Sequence, residues 1–346
     1  MINRLVAVFF IILCIDAVAA ISWAAQSFRV ANYNVENLFD VEKRGTEYDE
    51  YIPFGSFGWD KAMVDIKCSQ LARVIVDLRA DVLCLEEVES KNALLLLQTK
   101  LKSKGADYPF SAMVDTGRHA IGCALLSKRP IKIKKDLPVD KGRERNILKV
   151  IVDVDGLPFT IYVSHWASKK NPESDRIKSA RVLKKDLESL ASGTDFLVIG
   201  DFNSDYDEFN NFAREPELND AQGQTGINHV LKTIHDGIPV DEKRLLSNRS
   251  TALLYNLWFE LPFEKRWSYI FKGRGNSLDH MIIPASLYDG RGIDYKDNSF
   301  NRLAPDYLFI RKSIFRWQMG DSGKGRHLGK GYSDHLPVYA DFTINK

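Results

Sequence analysis

Cysteine is scarce in this chain: four occur in 346 residues, and one of them, Cys14, lies in an apolar N-terminal stretch. The others, Cys68, Cys84 and Cys123, allow at most one internal bridge, which excludes a disulfide-stapled scaffold. No Cys/His spacing forms a zinc pattern, and Cys84 and Cys123 fall in apolar runs that read as small buried hydrophobes. Net charge is also low, +2, so charge alone does not announce a nucleic-acid binder. No Pro/Gly/Ser-rich linker, low-complexity tract or repeat period divides the chain. With 45% hydrophobic and 27% charged residues it has ample material for a large core, unlike a disordered polymer.

Long apolar runs are confined to the start. Arg4, the stretch "LVAVFFIILCI" and the small residues Ala17-Val18-Ala19 and Ser22-Trp23-Ala24 read as a secretory signal peptide over residues 1–25. The alternative is an uncleaved anchor, because the apolar stretch can be extended past Asp16 to Ala25. Its uninterrupted part has the length of a signal h-region and falls short of the ~20 residues that span a bilayer. A lipoprotein reading through Cys14 is disfavoured by the bulky Leu13. Removal takes away Arg4 and Asp16 and leaves the net charge unchanged. The expectation is a secreted or periplasmic protein, a monomer without stable membrane association after cleavage, with residues 26–346 as one domain.

Charge is patchy where it occurs. "SKRPIKIKK" (127–135), "KGRERNILK" (141–149), Lys169-Lys170 and "GKGRHLGKG" (323–331) are locally basic. Most such runs are solvated faces, and a minority of them are expected to touch a phosphate polymer.

Periodicity predicts an α/β protein. "SFRVANYNV" (27–35) reads as a strand. In 60–80, Met63, Ile66, Leu71, Val74, Ile75 and Leu78 mark an amphipathic helix. "DVLCLEEV" (81–88) is a buried strand and 92–103 a second helix, an alternation that builds α/β layers. "IGCALLSK" (121–128) is a strand, and 146–166 is two strands hinged on Asp155-Gly156, which adds antiparallel pairing. A helix over 173–190 leads into a strand at 195–200. The stretch 205–265 offers only a helix near 207–214. Segments 277–283, 306–310 and 336–344 read as strands.

Five groups of strand ends stop at Asn, Asp, Glu or His: Asn34 and Glu36 in "NYNVEN", Glu86 and Glu87 in "LEEVE", His165 in "SHWASK", Asp201 and Asn203 in "GDFNSD", and Asp279, His280, Asp334 and His335 in "SLDH" and "YSDHLP". Strand ends fix a backbone while leaving the side chain open to a ligand, so a shared pocket is expected. Carboxylates and carboxamides without thiolate suit a hard cation such as magnesium, which neutralises a phosphate and stabilises a leaving oxygen. Two imidazoles would divide the proton transfers, one oriented by Asp279. Each residue has a plainer reading: Asn34 as a turn cap, Glu36 as a solvated acid, and His229, His235 and His327 as ordinary surface or core residues. Glu86 and Glu87 adjoin on a strand and should face opposite sides, so one of them is expected in the site.

"YNVEN", "CLEEV", "SHW", "GDFN", "LDHM" and "SDHLP", in this order from about Phe28 to Phe342, resemble the endonuclease/exonuclease/phosphatase superfamily, the fold of deoxyribonuclease I and the apurinic endonucleases. The resemblance implies a four-layer sandwich of two mixed β-sheets flanked by helices, and magnesium (or manganese) as cofactor. It implies Glu87 as principal metal-binding acid, with Asn34 and Glu36 nearby and Asp334 as a further ligand. It casts His335 as the histidine that activates water or stabilises the attacked phosphate, Asp279 as the acid orienting it, and Asp201 with Asn203 as the pair positioning nucleophile and phosphate. Whether His335 or Asp201 is the base stays open. His165 matches the second histidine of the deoxyribonuclease I branch, an acid for the leaving oxygen. In "GRHAIG", Arg118 is offered as a phosphate contact, and His119 is unusual there. Glu86 stands where most relatives have Gln, and 205–277 matches the nuclease branches poorly.

The leading expectation is thus a secreted metal-dependent phosphodiesterase, an endonuclease acting on DNA. The alternatives are a small-molecule or lipid phosphoesterase, sphingomyelinase- or phosphatase-like, and a non-catalytic binding module that keeps the fold. "SLDHM" lacks the Trp-Cys-Asp-Arg pattern of inositol phosphatases. No apolar hairpin that would dip into a bilayer is legible.

Overall fold

Capping residues and apolar spacing set the helices. In the computed structural model, which describes residues 26–248 and 252–345, α1 (Lys61–Leu78) begins where the Asp60 carboxylate accepts the Met63 N–H at 2.9 Å and ends on Arg79 in the left-handed region. Its buried stripe includes Val64, Cys68, Leu71, Ile75 and Leu78, while Ile66, expected inside, is exposed. Helix α2 (Lys91–Ser103) is capped by Ser90 on the Ala93 N–H, also at 2.9 Å. The signal-peptide reading lies outside the described residues. Among those described, no helix is long and apolar enough to cross a membrane.

The strands form two large mixed sheets. Strand β1 (Ser27–Leu38) runs parallel to β2 (Val82–Val88), which pairs antiparallel with β4 (Gly122–Ser127) and through it with β3 (Phe110–Met113). On its other side β1 pairs with the C-terminal strand Val338–Asn345, which also carries Gly292–Tyr295 and Asn301–Arg302, making seven strands. The second sheet has six: β5 (Ile131–Val139), β6 (Glu144–Val154), β7 (Leu157–His165) and β8 (Phe196–Asp201), then Asp279–Ile283 and Tyr255–Asn256. The β6–β7 hairpin turns on Asp155 and Gly156, with φ of 54° and 93°, both in the left-handed region that this tight turn demands.

Phe28, Val82, Cys84, Val150, Ile161, Leu197, Met281 and Phe342 fill the space between the sheets. The outer face of the first sheet packs on α1 and α2 through Tyr33, Leu83 and Leu85, and that of the second on α3 (Glu173–Leu187) through Tyr162, Val198 and Ile282. The layers therefore run helix, sheet, sheet, helix. Cys68, Cys84 and Cys123 are buried free thiols.

Three local expectations differ. "SKRPIKIKK" holds an edge strand, β5, whose cations are consumed internally: Arg129 pairs with Asp155 at 2.6 Å, Lys132 with Asp153 at 2.9 Å and Lys134 with Asp136 at 2.6 Å. Charged side chains suit an unpaired edge because they discourage a foreign strand. The helix near 207–214 shrinks to Glu208–Asn211. Segment 306–310 is a 3-10 turn, Asp306–Leu308, before a two-residue strand, Phe309–Ile310.

Candidate active site

One end of both sheets carries the polar strand ends, and strand register brings them together. In the parallel β7/β8 pair His165 lies opposite Asp201, and on the other side of β8 Asp279 lies opposite Asp201. Gly200 makes this approach possible. It has φ 138°, and a Cβ there would lie 2.0 Å from the Ser164 carbonyl oxygen, so no other residue fits. In the first sheet the β1/β2 register places Asn34 opposite Glu86. Pairing then slips beyond Asn34 and beyond Leu85, and Glu36, Asn37 and Glu87 adopt positive φ, as does Asn203 on the facing loop. Non-glycine residues in that region are sparse and cluster where a surrounding structure over-determines them.

The Asn34 amide links two acids, donating to Glu87 Oε1 at 3.2 Å and to Asp201 Oδ2 at 3.0 Å. Glu87 Oε2 accepts the Asn37 N–H at 3.0 Å. His165 Nε2 lies 3.5 Å from Asp201 Oδ2 and 3.9 Å from Glu87 Oε1. Opposite it, His335 donates Nδ1–H to Asp279 Oδ2 at 2.7 Å, and its Nε2 lies 3.8 Å from Asp201 Oδ2. The Ser268 hydroxyl holds the same Asp279 oxygen at 2.5 Å. The Ser333 hydroxyl donates to the Asn34 carbonyl at 2.6 Å and accepts the His335 N–H at 3.1 Å, tying the His335 loop to β1. The Tyr269 ring lies over His335, centroids 4.8 Å apart.

These surroundings separate the imidazoles. Burial would depress His335, but the Asp279 and Asp201 carboxylates outweigh it and hold its pKa well above the ordinary value. Burial, aided by the positive charges of Arg145 and His335, drives His165 well below it. The two surroundings thus push the two rings in opposite directions, His335 toward its charged form and His165 toward its neutral one. Burial also raises Glu87 and Asp201, with nearby carboxylates adding to the rise.

Not every expected residue joins this cluster. Glu36 turns its carboxylate to Arg316 and to the Trp317 N–H, and Asp334 lies 3.1 Å from the same guanidinium. Asn203 donates its backbone N–H to Asp201 Oδ1 at 2.9 Å, while its amide is directed to the Trp166 carbonyl at 3.2 Å. Arg118 is exposed on the turn before β4. The arginine against the site is instead Arg145, which donates to the carbonyls of His165 and Trp166. Glu86 is not turned away as strand alternation implied. It lies fully buried beneath the cleft, accepting from the Asn32 amide at 3.1 Å, with burial and the charges of Asp279 and Asp201 raising its pKa far above the carboxylate range. His280 donates to the Ser204 carbonyl and lies outside the cleft. The hairpin Tyr269–Phe271/Arg274–Asn276, which no sequence signal marks, sets Tyr269 against His335 and turns Phe271 outward.

Sequence reading also passed over Asn32, Arg145, Ser268, Tyr269 and Arg316. Only Asn32 left a signal, a carboxamide inside an apolar strand two positions before Asn34.

The oxygen donors suit a hard divalent cation on the Glu87 side. Glu87 and Asp201 converge on one amide, no thiolate is near, and both acids carry raised pKa values that a cation would offset. Among the described residues no three His, Cys, Asp or Glu side chains form a ready cage, and magnesium needs only one or two protein acids with waters.

Similarity to solved structures supports the architecture. ANGEL2, described as a 2',3'-cyclic phosphatase in complex with adenosine-2',3'-vanadate, aligns with TM-score 0.56 at 14% identity over 93% of this chain and 97% of its own. An endonuclease/exonuclease/phosphatase family protein from Bacteroides thetaiotaomicron gives 0.54 at 13% identity over 94% and 100%. TDP2 from Caenorhabditis elegans gives 0.53 at 13% over 92% and 75%. At such identities these likenesses speak for the fold. No curated protein matches the chain by sequence. The family model for the endonuclease/exonuclease/phosphatase family, however, matches residues 29–344, nearly all of the stretch 26–346, and the chain belongs to that family.

Proposed function

We propose that this phosphoesterase-fold chain is an exported, divalent-metal-dependent phosphodiesterase that hydrolyses nucleic acid, DNA foremost, by attack of water on a phosphodiester. The observation carrying this reading is the pair of imidazoles on either side of Asp201, one of them held by Asp279, beside the Glu87–Asn34 oxygens. Held there, magnesium or manganese would neutralise phosphate charge and stabilise the departing oxygen.

The protein's own groups then divide the work. With its Nδ1–H given to Asp279 and the surrounding carboxylates favouring its charged form, His335 is assigned to stabilise the attacked phosphate through Nε2–H, and Asp279 with Ser268 fixes its orientation. That leaves Asp201 as acceptor of the water proton, since its raised pKa brings it toward the operating pH. His165 starts neutral. A phosphate dianion or monoanion beside it favours its protonated form, from which it can protonate the leaving oxygen. Asn203 orders Asp201 through its backbone N–H.

Two likenesses favour a nucleic-acid substrate: the TDP2 from D. rerio is described in complex with single-strand DNA product, and ANGEL2 in complex with an adenosine vanadate. Export is favoured by the basic, apolar and small-residue pattern of residues 1–25, and the intact mass of the released protein tests it. Purified protein with magnesium is expected to nick supercoiled plasmid, chelator to stop it and His335→Ala to abolish it. Plasmid left intact at high protein load would end the nuclease reading.

A second reading, a small or lipid phosphoester as substrate, is favoured by Phe271 standing 56% exposed on the hairpin beside His335. The loss of free basic charge along β5 points the same way. Hydrolysis of bis-p-nitrophenyl phosphate or sphingomyelin, with plasmid untouched, would select it. Inertness toward all three would leave a non-catalytic binding module.

A further inference from the structure

The acidic cleft has two unlike halves. Around Glu87 the close partners are the Asn34 amide, the Asn37 N–H and the His165 ring, with no guanidinium or ammonium hydrogen-bonded to its carboxylate. Around Glu36 they are cationic. Glu36 Oε1 accepts from Arg316 Nε at 2.8 Å and from one terminal nitrogen of the same guanidinium. Its Oε2 accepts the Trp317 N–H at 3.0 Å, and the side chain is only 7% exposed. That terminal nitrogen also reaches Asp334 at 3.1 Å. Behind them the buried Lys67 ammonium donates to the Glu36 and Tyr332 carbonyls, 4.8 Å from the Trp317 ring centre.

We propose that Arg316 is a resident cation filling the Glu36–Asp334 half of the cleft, so that the chain takes up a single divalent ion, at the Glu87 half, and meets the substrate phosphate with a guanidinium on the other side. The inference rests on the reading of this cleft as a metal-dependent phosphoesterase site.

Three facts carry it. Both Glu36 oxygens are already occupied by protein donors, Oε1 by two nitrogens of the Arg316 guanidinium and Oε2 by the Trp317 N–H. Asp334, which sits next to His335 in the chain, is claimed by the same guanidinium, so both acids of this half share a cation, with the Lys67 ammonium behind them. And Arg316 is not spent. Its side chain is 54% exposed, and its second terminal nitrogen has no protein partner among the described residues, which leaves two N–H donors at the mouth of the cleft. A divalent ion therefore goes where acid charge is uncompensated, and a phosphate oxygen can meet Arg316 without displacing it.

Calorimetric titration and manganese electron paramagnetic resonance on the folded chain read this directly. One ion per chain is expected for the wild type and for Arg316→Lys, which keeps the charge, and two for Arg316→Ala. Glu87→Gln should weaken the wild-type ion by roughly 10- to 100-fold, and Glu36→Gln by less than about threefold. Inorganic phosphate, titrated with magnesium present, should bind Arg316→Ala roughly 10- to 100-fold more weakly, with Arg316→Lys between. Two ions in the wild type, one ion in Arg316→Ala, or unchanged phosphate affinity in Arg316→Ala overturns the assignment of Arg316. No ion at all in the wild type overturns the metal-dependent reading of the cleft itself.

Discussion

Two acid-rich clusters lie near the C-terminal end of β8, and they are built to opposite ends. On one side Lys169 reaches Asp205, Glu208 and Glu215 at 3.0, 2.9 and 3.3 Å, and the Asn211 amide closes the ring on Asp205 at 2.7 Å. Burial works against the ammonium, yet the three carboxylates hold it charged well above its usual range. On the other side Glu86, Glu87, Asp201 and Asp279 face one another with His335 as the nearby cation, and burial raises three of them. The first cluster is closed by the chain's own charge, and the second is left short of it. Density of acid therefore does not mark a functional site; a shortage of cation beside the acids does.

The largest expected effect tests the open cluster. His335→Ala should lower kcat/KM on plasmid or bis-p-nitrophenyl phosphate by at least about 10³-fold while the chain stays folded. Thermal unfolding should show no large drop, and a collapse of stability would make the cleft as structural as the Lys169 site. The mirror-image change is Lys169→Met, which strands three buried or half-buried acids. Its urea unfolding free energy should fall by roughly 3–5 kcal/mol while turnover per folded molecule holds within about threefold. Lost turnover in a fully folded variant would erase the distinction between the two clusters.

The closed cluster should also respond to acid. His280, beside it, donates Nε2–H to the Ser204 carbonyl at 2.8 Å and lies 3.0 Å from the Asn256 amide. Burial pushes its pKa from 6.5 down to about 4. The unfolded chain thus binds a proton that the folded chain refuses, so this contribution is whole above pH 6.5 and drains away as pH falls toward 4. The loss is roughly 3 kcal/mol when complete. Unfolding in urea at pH 7 and pH 4.5 should show it, and His280→Gln should flatten the difference; an identical acid slope in the variant would place the titration elsewhere. The smallest effect belongs to Ser268→Ala, which removes a hydroxyl from Asp279. About a tenfold loss in kcat is expected with metal affinity unchanged, and a weakened ion would mean that Ser268 supports the other half of the cleft.

Much of this was legible in the chain, for physical reasons. Helices α1, α2 and α3, the β6–β7 hairpin and strand β8 follow from apolar spacing, caps and the Asp155-Gly156 turn. Local order dictates them. Edge strand β5 was read as a run of charge, because its lysines are satisfied by Asp153 and Asp136 across and along the strand. The region after β8 resisted because side chains organise it: Asn228 donates to the Tyr206 carbonyl and the Thr233 hydroxyl, and Asp205 accepts from the Ser277 backbone. No period records such bonds. Asn34, Glu87, Asp201 and His335 were visible because each interrupts an apolar strand at its end. Arg316 reaches Glu36 across 280 positions and Ser268 reaches Asp279 from a loop, so neither leaves a local trace. The bulge that turns Glu87 into the cleft above Glu86 is likewise a product of sheet pairing, not of strand alternation.

The last strand of the chain, Val338–Asn345, is not a trailing edge. It lies inside the first sheet, Ser27 opposite Thr343 and Asn32 opposite Val338, and the loop just before it delivers His335. During synthesis, Ser27–Asn32 cannot find this partner until residues 338–343 have left the ribosome, and closing so long a loop is slow. A product cut short before residue 335 therefore lacks both a strand inside the first sheet and the imidazole that Asp279 holds.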